Sequence, residues 1–159
     1  MPLCSLEELA AYRHTKKRLL GLDVGDKTIG ISISDVNWQI ASPLTLIRRT
    51  KFSADLKELQ ELIHSHGVIG LIIGLPMSMS GRDSEQTKKV RQFVSQLEVA
   101  LGDISLCLWD ERLSTMAVTR TLLEADMSRN KRSKVVDKLA ATYILQGVID
   151  MIARQRSVF

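Results

Sequence analysis

Aromatic residues and cysteines are scarce in this chain of 159 residues. Phe, Trp and Tyr together make up 4% of it, which argues against the aromatic stacking surfaces that hold single-stranded nucleic acids. The two cysteines, Cys4 and Cys107, lie far apart in no paired spacing, so we predict neither a disulfide framework nor a zinc site. Such cysteine usage is typical of a reducing, cytoplasmic compartment.

Long apolar runs are missing as well. No run approaches the roughly 18 residues of a membrane-spanning helix, so no membrane association is expected. Residues 1–18 place acidic residues before basic ones, the reverse of a signal peptide. We expect an N-terminal extension over residues 1–18 and one folded domain over 19–159, which is too short for an enzyme that closes two lobes on a nucleotide.

The apolar periodicity predicts an α/β domain. Five apolar runs have the length and the flanking residues of strands: 19–24, 29–34, 40–47, 68–73 and 104–109. Helical spacing follows the third and fourth strands, and Asp83 with Gln86 is the predicted capping pair of the second of these helices. Beyond the last strand we predict a helix from Ser114 to about residue 125, a basic loop over 127–132 and a long helix over 133–153.

The connections predict how these strands pair. Short links between the first three strands favour antiparallel neighbours, whereas the two later strands follow helices and should run parallel to the first. The predicted architecture is therefore a mixed five-stranded sheet with helices on both faces.

Asp23 stands out inside an apolar strand. Its same-face neighbours are Gly21 and Gly25, which would leave room for a ligand or for another backbone. A carboxylate there is costly unless it is paired. The alternative is a strand-end aspartate that is bonded to a turn.

Asp137 is the second unusual acid, because it shares a helix face with Ala140, Ala141 and Ile144. It either pairs with a cation, holds a metal or stabilises the helix dipole.

Asp110 and Glu111 end the last strand, where ligands gather in open α/β sheets. Alternation leaves open which of these two faces a shared site, and a solvated ion pair with Arg112 is the simpler interpretation.

These acids come from separate elements: the first strand, the last strand and a late helix. Carboxylates that share a site tolerate one another when a divalent cation lies between them, and hard oxygen ligands suit Mg²⁺ or Mn²⁺. A pair of such ions can stabilise both the attacking and the leaving oxygen of a phosphodiester.

Basic residues exceed acidic ones only slightly, by 22 to 18, for a net charge of +4. Their positions are more informative than their sum. Arg82 belongs to a loop rich in Ser, Met and Gly at the predicted carboxyl edge of the sheet. A basic cluster surrounds Asp137: Arg129, Lys131, Arg132, Lys134 and Lys138. Contacts from such residues to phosphates would position a nucleic acid without reading its sequence.

Four short motifs in this order resemble one family. They are Gly21-Leu-Asp-Val-Gly-Asp-Lys-Thr-Ile-Gly30, Gly74-Leu-Pro76, Asp110-Glu-Arg-Leu-Ser-Thr115 and Asp137 with Ala140-Ala141. From about residue 19 to about 149 the chain is similar to the YqgF (RuvX) family of bacterial ribonuclease H-like proteins. That family is described as Holliday-junction resolvases and as nucleases that mature the end of pre-16S rRNA.

The resemblance implies a ribonuclease H-like fold and a metal-dependent nuclease with Asp23, Glu111 and Asp137 as catalytic and metal-binding acids. It favours Glu111 over Asp110. It also implies a set of nucleic-acid-binding residues: Lys27, Arg82, Arg112, Arg129, Lys131, Arg132 and Lys134. Thr28 stands where the family commonly has Arg, and the N-terminal extension is not part of the family pattern.

The hypothesis is an endonuclease of structured nucleic acid, acting on pre-16S rRNA in ribosome biogenesis rather than on branched DNA, as a monomer or homodimer. A Holliday-junction resolvase and a non-catalytic nucleic-acid-binding factor that keeps the fold are the alternatives. A third interpretation takes residues 23–28 as the phosphate-binding turn of an actin-like ATPase, but this needs a second domain.

Overall fold

We describe the protein from a computed structural model that covers residues 3–77, 80, 82–113 and 129–158, with side chains described except at 113, 129–138 and 156–158. Within these ranges, none of the helices combines the length and apolar character needed to cross a bilayer.

The sheet has the predicted mixed architecture. Its strands are β1 (Arg18–Val24), β2 (Thr28–Ser34), β3 (Ala41–Arg48), β4 (Val68–Leu75) and β5 (Ser105–Asp110), in the spatial order β3-β2-β1-β4-β5. The first three strands pair antiparallel, and β4 and β5 run parallel to β1. The carboxyl ends of β1, β4 and β5 therefore meet at one edge, which we call the carboxyl edge.

Helices cover both faces of the sheet, as predicted. They are α1 (Leu6–Ala10), α2 (Phe52–His66), α3 (Glu85–Ala100) and α4 (Arg129–Val158), with 3-10 turns at Arg13–Thr15 and Glu111–Leu113. The apolar stripes of α2 and α3 bury against one face of the sheet. On the other face, α1 and α4 enclose a second apolar cluster.

Helix α4 lies unusually close to the sheet because small residues meet there. The Ser32 hydroxyl donates a hydrogen bond of 2.7 Å to the carbonyl oxygen of Ala141. A Cβ on Gly21 would lie 2.7 Å from the same oxygen, so only glycine fits opposite Ala141. Both Ala140 and Ala141 are fully buried, in agreement with the close approach that the sequence predicts.

Two local predictions are wrong. Helix α3 is capped by Ser84, whose hydroxyl accepts from the Thr87 N–H at 3.1 Å, while Asp83 pairs with Arg91 at 2.8 Å. Helix α4 begins at Arg129, so residues 129–132 are helical rather than a loop. Arg and Lys are good helix formers, and their charge is a poor sign of a loop. The predicted helix from Ser114 to about residue 125 lies outside the described residues.

The segment before β1 packs onto the fold. Leu9 of α1 is fully buried in the cluster beneath α4, and the Cys4 N–H donates to the Leu106 carbonyl at 2.9 Å. The segment thus covers the end of the sheet that lies opposite the carboxyl edge.

Candidate functional site

Asp23 lies near the carboxyl end of β1 with only 9% of its surface exposed. Strand alternation places it on the same face as Gly21, the face covered by α4. Its partner on β2 is Gly30, and the pairing of Leu22 with Ile73 puts it level with Gly74 on β4. Neither neighbouring strand therefore projects a side chain beside this carboxylate.

Glu111 reaches the same place from β5. It begins the 3-10 turn that follows the strand, and its Oε1 lies 2.9 Å from the point that a Cβ on Gly74 would occupy. The Glu111 carboxylate thus extends over β4 toward β1. Asp23 and Glu111 flank Gly74 on the α4 side of the sheet, and we call this space the Gly74 notch.

Asp110 points elsewhere. It pairs in register with Leu75, whose side chain belongs to the apolar cluster on the opposite face. Its carboxylate accepts from Arg112 through Nε at 3.1 Å and Nη2 at 2.7 Å. Through these hydrogen bonds the Arg112 guanidinium holds the pKa of Asp110 below its ordinary value.

The third predicted acid, Asp137, belongs to α4 and precedes Ala141 by one helical turn, but its side chain lies outside the described part. The same applies to the basic side chains at the start of this helix: Arg129, Lys131, Arg132 and Lys134. Among the described side chains, no group of three His, Cys, Asp or Glu residues could hold a metal ion.

The other predicted basic residues lie along the carboxyl edge. Lys27 is exposed in the turn between β1 and β2, and Arg82 is exposed in the connection from β4 to α3. Arg112 follows β5 on the same edge. Cations thus extend along the carboxyl edge, from the β1–β2 turn to the end of β5.

Sequence reasoning missed two contributors to this site. The Gln86 side chain donates to the Val24 carbonyl at 3.0 Å, which ties the start of α3 to the residue after Asp23. The Thr87 hydroxyl donates to the Pro76 carbonyl and fixes the end of β4. Gly74 itself carried a readable signal, since glycine inside an apolar strand often marks a close approach.

The donor chemistry of the notch fits a hard divalent cation. Asp23 of β1 and Glu111, which follows β5, lie on either side of β4 at a position where β4 has no side chain. Carboxylate oxygens are the ligands that Mg²⁺ and Mn²⁺ prefer.

Comparison with known proteins identifies the family. Residues 17–151 match RuvX, described as Holliday junction resolvase. Curated relatives named "Putative pre-16S rRNA nuclease" include one from Paramagnetospirillum magneticum, 51% identical and covering 94% of this chain and 96% of its own. One from Zymomonas mobilis is 53% identical, and the match covers 92% of this chain and 91% of the relative. One from Rhodospirillum rubrum is 46% identical over 98% of this chain, so its alignment includes most of residues 1–18.

Solved structures share the fold at low sequence identity. Thermus thermophilus RuvC in complex with a Holliday junction substrate superposes with a TM-score of 0.53 at 9% identity, covering 89% of this chain and 96% of its own. The yeast mitochondrial Holliday junction resolvase Ydc2 superposes with a TM-score of 0.55 at 11% identity, and the match covers 95% of this chain and 87% of Ydc2. These likenesses confirm the ribonuclease H-like architecture, and the family match over most of the chain shows that this protein belongs to the RuvX family of nucleases.

Proposed function

We propose that this protein is a divalent-metal-dependent endonuclease that processes the 5′ end of pre-16S rRNA in the cytoplasm. The observation that carries the proposal is the Gly74 notch, where Asp23 of β1 is level with Gly74 and Glu111 Oε1 lies over Gly74 at the carboxyl edge. The names of the curated relatives support RNA as the substrate.

Asp23, Glu111 and Asp137 are the residues that would hold one or two Mg²⁺ or Mn²⁺ ions. When bound, such ions activate water and stabilise negative charge on a phosphodiester. The protein's contribution is to fix the carboxylates before substrate arrives. Asp23 is restrained by burial, and Glu111 is held by the 3-10 turn that follows β5.

Gly30 on β2 and Gly74 on β4 place no side chain level with Asp23. The Ile144 side chain of α4 and Glu111 Oε1 lie over Gly74. Arg112, whose guanidinium is oriented by Asp110, would supply a cation at the carboxyl edge, as would the exposed side chains of Lys27 and Arg82. We assign these three, with Arg129, Lys131, Arg132 and Lys134, to contacts with the nucleic-acid backbone.

The test is a single substitution, Asp23→Asn, which keeps the shape of the side chain but removes its charge. We expect at least a hundredfold loss of Mg²⁺-dependent cleavage of a pre-16S rRNA fragment, because a ligand of the reacting groups is lost. The matched control is Asp26→Asn. That carboxylate is 62% exposed in the following turn and pairs only at the surface with Lys89.

Glu111→Gln should behave like Asp23→Asn, and Asp26→Asn should retain activity. Full cleavage by Asp23→Asn would overturn the site assignment. Binding of the fragment without cleavage by the unaltered protein, in either Mg²⁺ or Mn²⁺, would instead support a non-catalytic RNA-binding factor.

Branched DNA is the second candidate substrate, because the family is described as Holliday junction resolvase. Resolution of a four-way junction requires two cuts, and hence two copies of the Gly74 notch in one complex. Symmetric dimers are the commonest way to supply them. A doubling of the solution mass upon addition of a four-way junction, with paired cleavage, would favour this substrate over pre-16S rRNA.

A further inference from the structure

The two cysteines, distant in the sequence, meet in the fold. The Cys4 N–H donates to the Leu106 carbonyl at 2.9 Å, so the backbone at Cys4 runs alongside β5 next to Cys107. The two thiols are close enough for each to shift the pKa of the other. Chains paired in this way lie about 4.8 Å apart. This spacing falls inside the Cα separation of roughly 4.4–6.8 Å that a disulfide spans.

The two sulfurs have different surroundings. Cys4 is half-buried and reachable from solvent, whereas Cys107 is 3% exposed within the apolar cluster beneath α4. The hydrogen bond from Cys107 lowers the pKa of the Cys4 thiol, although burial and the nearby Glu8 carboxylate act in the opposite direction. The same contact and burial raise the pKa of Cys107. Cys4 is thus the sulfur that an oxidant meets first.

We propose that Cys4 and Cys107 form an oxidisable dithiol, which a hydroperoxide converts into a disulfide that fastens the N-terminal segment to β5. In the first step the Cys4 sulfur attacks the peroxide, a sulfur–oxygen bond forms and the oxygen–oxygen bond breaks. The leaving oxygen takes up the thiol proton and departs as an alcohol, or as water when the oxidant is hydrogen peroxide. In the second step the Cys107 sulfur attacks the Cys4 sulfenic acid, a disulfide forms and water leaves. The peroxide receives the two electrons that the thiols lose.

The disulfide would act on the element that carries Glu111. Cys107 lies in β5, and Glu111 follows the end of the same strand. In the reduced protein residue 4 is held to β5 by a backbone hydrogen bond and by side-chain packing, with no covalent link. A covalent link there would close a loop of about 100 residues and restrict the unfolded chain. The oxidised protein should therefore melt several degrees higher than the reduced protein.

The experiment treats the full chain with stoichiometric hydrogen peroxide and measures its intact mass without reductant. We expect a loss of about 2 Da, the mass of two hydrogens, the disappearance of both titratable thiols, and full reversal by dithiothreitol. Cys4→Ser should show no such loss. Cys107→Ser should instead gain about 16 Da in a form that dimedone traps, since the sulfenic acid then has no partner.

Disulfide-linked dimers in place of the internal bond, or two unchanged thiols at peroxide levels that oxidise free cysteine, would overturn the proposal. Because Cys107→Ser puts a hydroxyl into an apolar cluster, its folding is checked by a thermal melt. If it does not fold, the half-exposed Cys4→Ser variant decides the question, since its thiol at Cys107 should stay reduced.

Discussion

At the scale of single residues, Gly74 leaves the room that the Glu111 carboxylate and the Ile144 side chain occupy over β4. A Cβ there would contact Ile144 and lie 2.9 Å from Glu111 Oε1. We expect Gly74→Ala to displace Glu111 and lower cleavage of pre-16S rRNA by about a hundredfold, as misplacements of about 1 Å can do. It should also destabilise the protein by about 1–3 kcal/mol through overpacking.

Gly102→Ala is the matched control, because a Cβ at Gly102 would meet no atom within 4 Å. A second variant separates packing from catalysis. Adding Ile144→Val to Gly74→Ala removes the Ile144 Cδ1 contact, so it should recover part of the stability while cleavage stays low. Normal activity in Gly74→Ala alone would show that Glu111 does not depend on the notch.

At the scale of elements, the connection from β2 to β3 depends on one carboxylate. Asp35 accepts backbone N–H groups from Asn37 at 3.3 Å, Gln39 at 2.7 Å and Ile40 at 2.9 Å. Burial raises the pKa of Asp35, but these hydrogen bonds together outweigh it, so the pKa is lower than usual. A lowered pKa in the folded state stabilises the fold above the ordinary pKa of aspartate, and this stabilisation disappears as the pH falls through the folded-state pKa.

Asp35→Ala should therefore cost about 1 kcal/mol at pH 7, and the difference from the unaltered protein should shrink in acid. Urea unfolding at a series of pH values measures this directly. Asp103→Ala, which removes an exposed carboxylate in another connection, is the control and should show no comparable change. If the difference in unfolding free energy between Asp35→Ala and the unaltered protein is the same at every pH, the lowered pKa of Asp35 does not stabilise the fold.

Much of the fold was predictable because it depends on short-range patterns. The apolar strands of the sheet and the close approach at Ala140 and Ala141 follow from periodicity and residue size. The cap at Ser84 was missed because Asp83, directly before it, is an equally good capping residue. Strand alternation puts Asp110 and Glu111 on opposite faces of the sheet, but it does not say which face carries the site. It therefore could not choose between the two acids. The contact of Cys4 with Cys107 is long-range, and no local pattern encodes it.

At the scale of the whole molecule, the modest excess of positive charge matters through its placement. We expect the triple variant Lys131→Ala, Arg132→Ala, Lys134→Ala to weaken binding of a pre-16S rRNA fragment. The slope of log affinity against log salt should fall by about 0.7 for each phosphate that the variant no longer neutralises. Alanine favours helix, so the start of α4 should be retained. Binding is measured in the Asp23→Asn background, where the RNA stays intact.

The control removes the same charge elsewhere, at exposed lysines on or beside α2 and α3: Lys51, Lys57 and Lys88. Net charge is then equal in both triple variants, so a difference between them reports local binding of RNA. Equal decreases in affinity and in salt slope would mean that the bulk charge alone attracts the nucleic acid.

The position of α4 in the chain has a consequence for synthesis. Its partners on the sheet come from strands made much earlier, as in the hydrogen bond from Ser32 to Ala141. A nascent chain that has exposed all five strands still lacks the cover for Leu19, Ile72 and Trp109, which are buried in the cluster beneath α4. Uncovered apolar sheet surface invites aggregation and chaperone binding. This face of the sheet therefore stays uncovered until α4 has emerged from the ribosome.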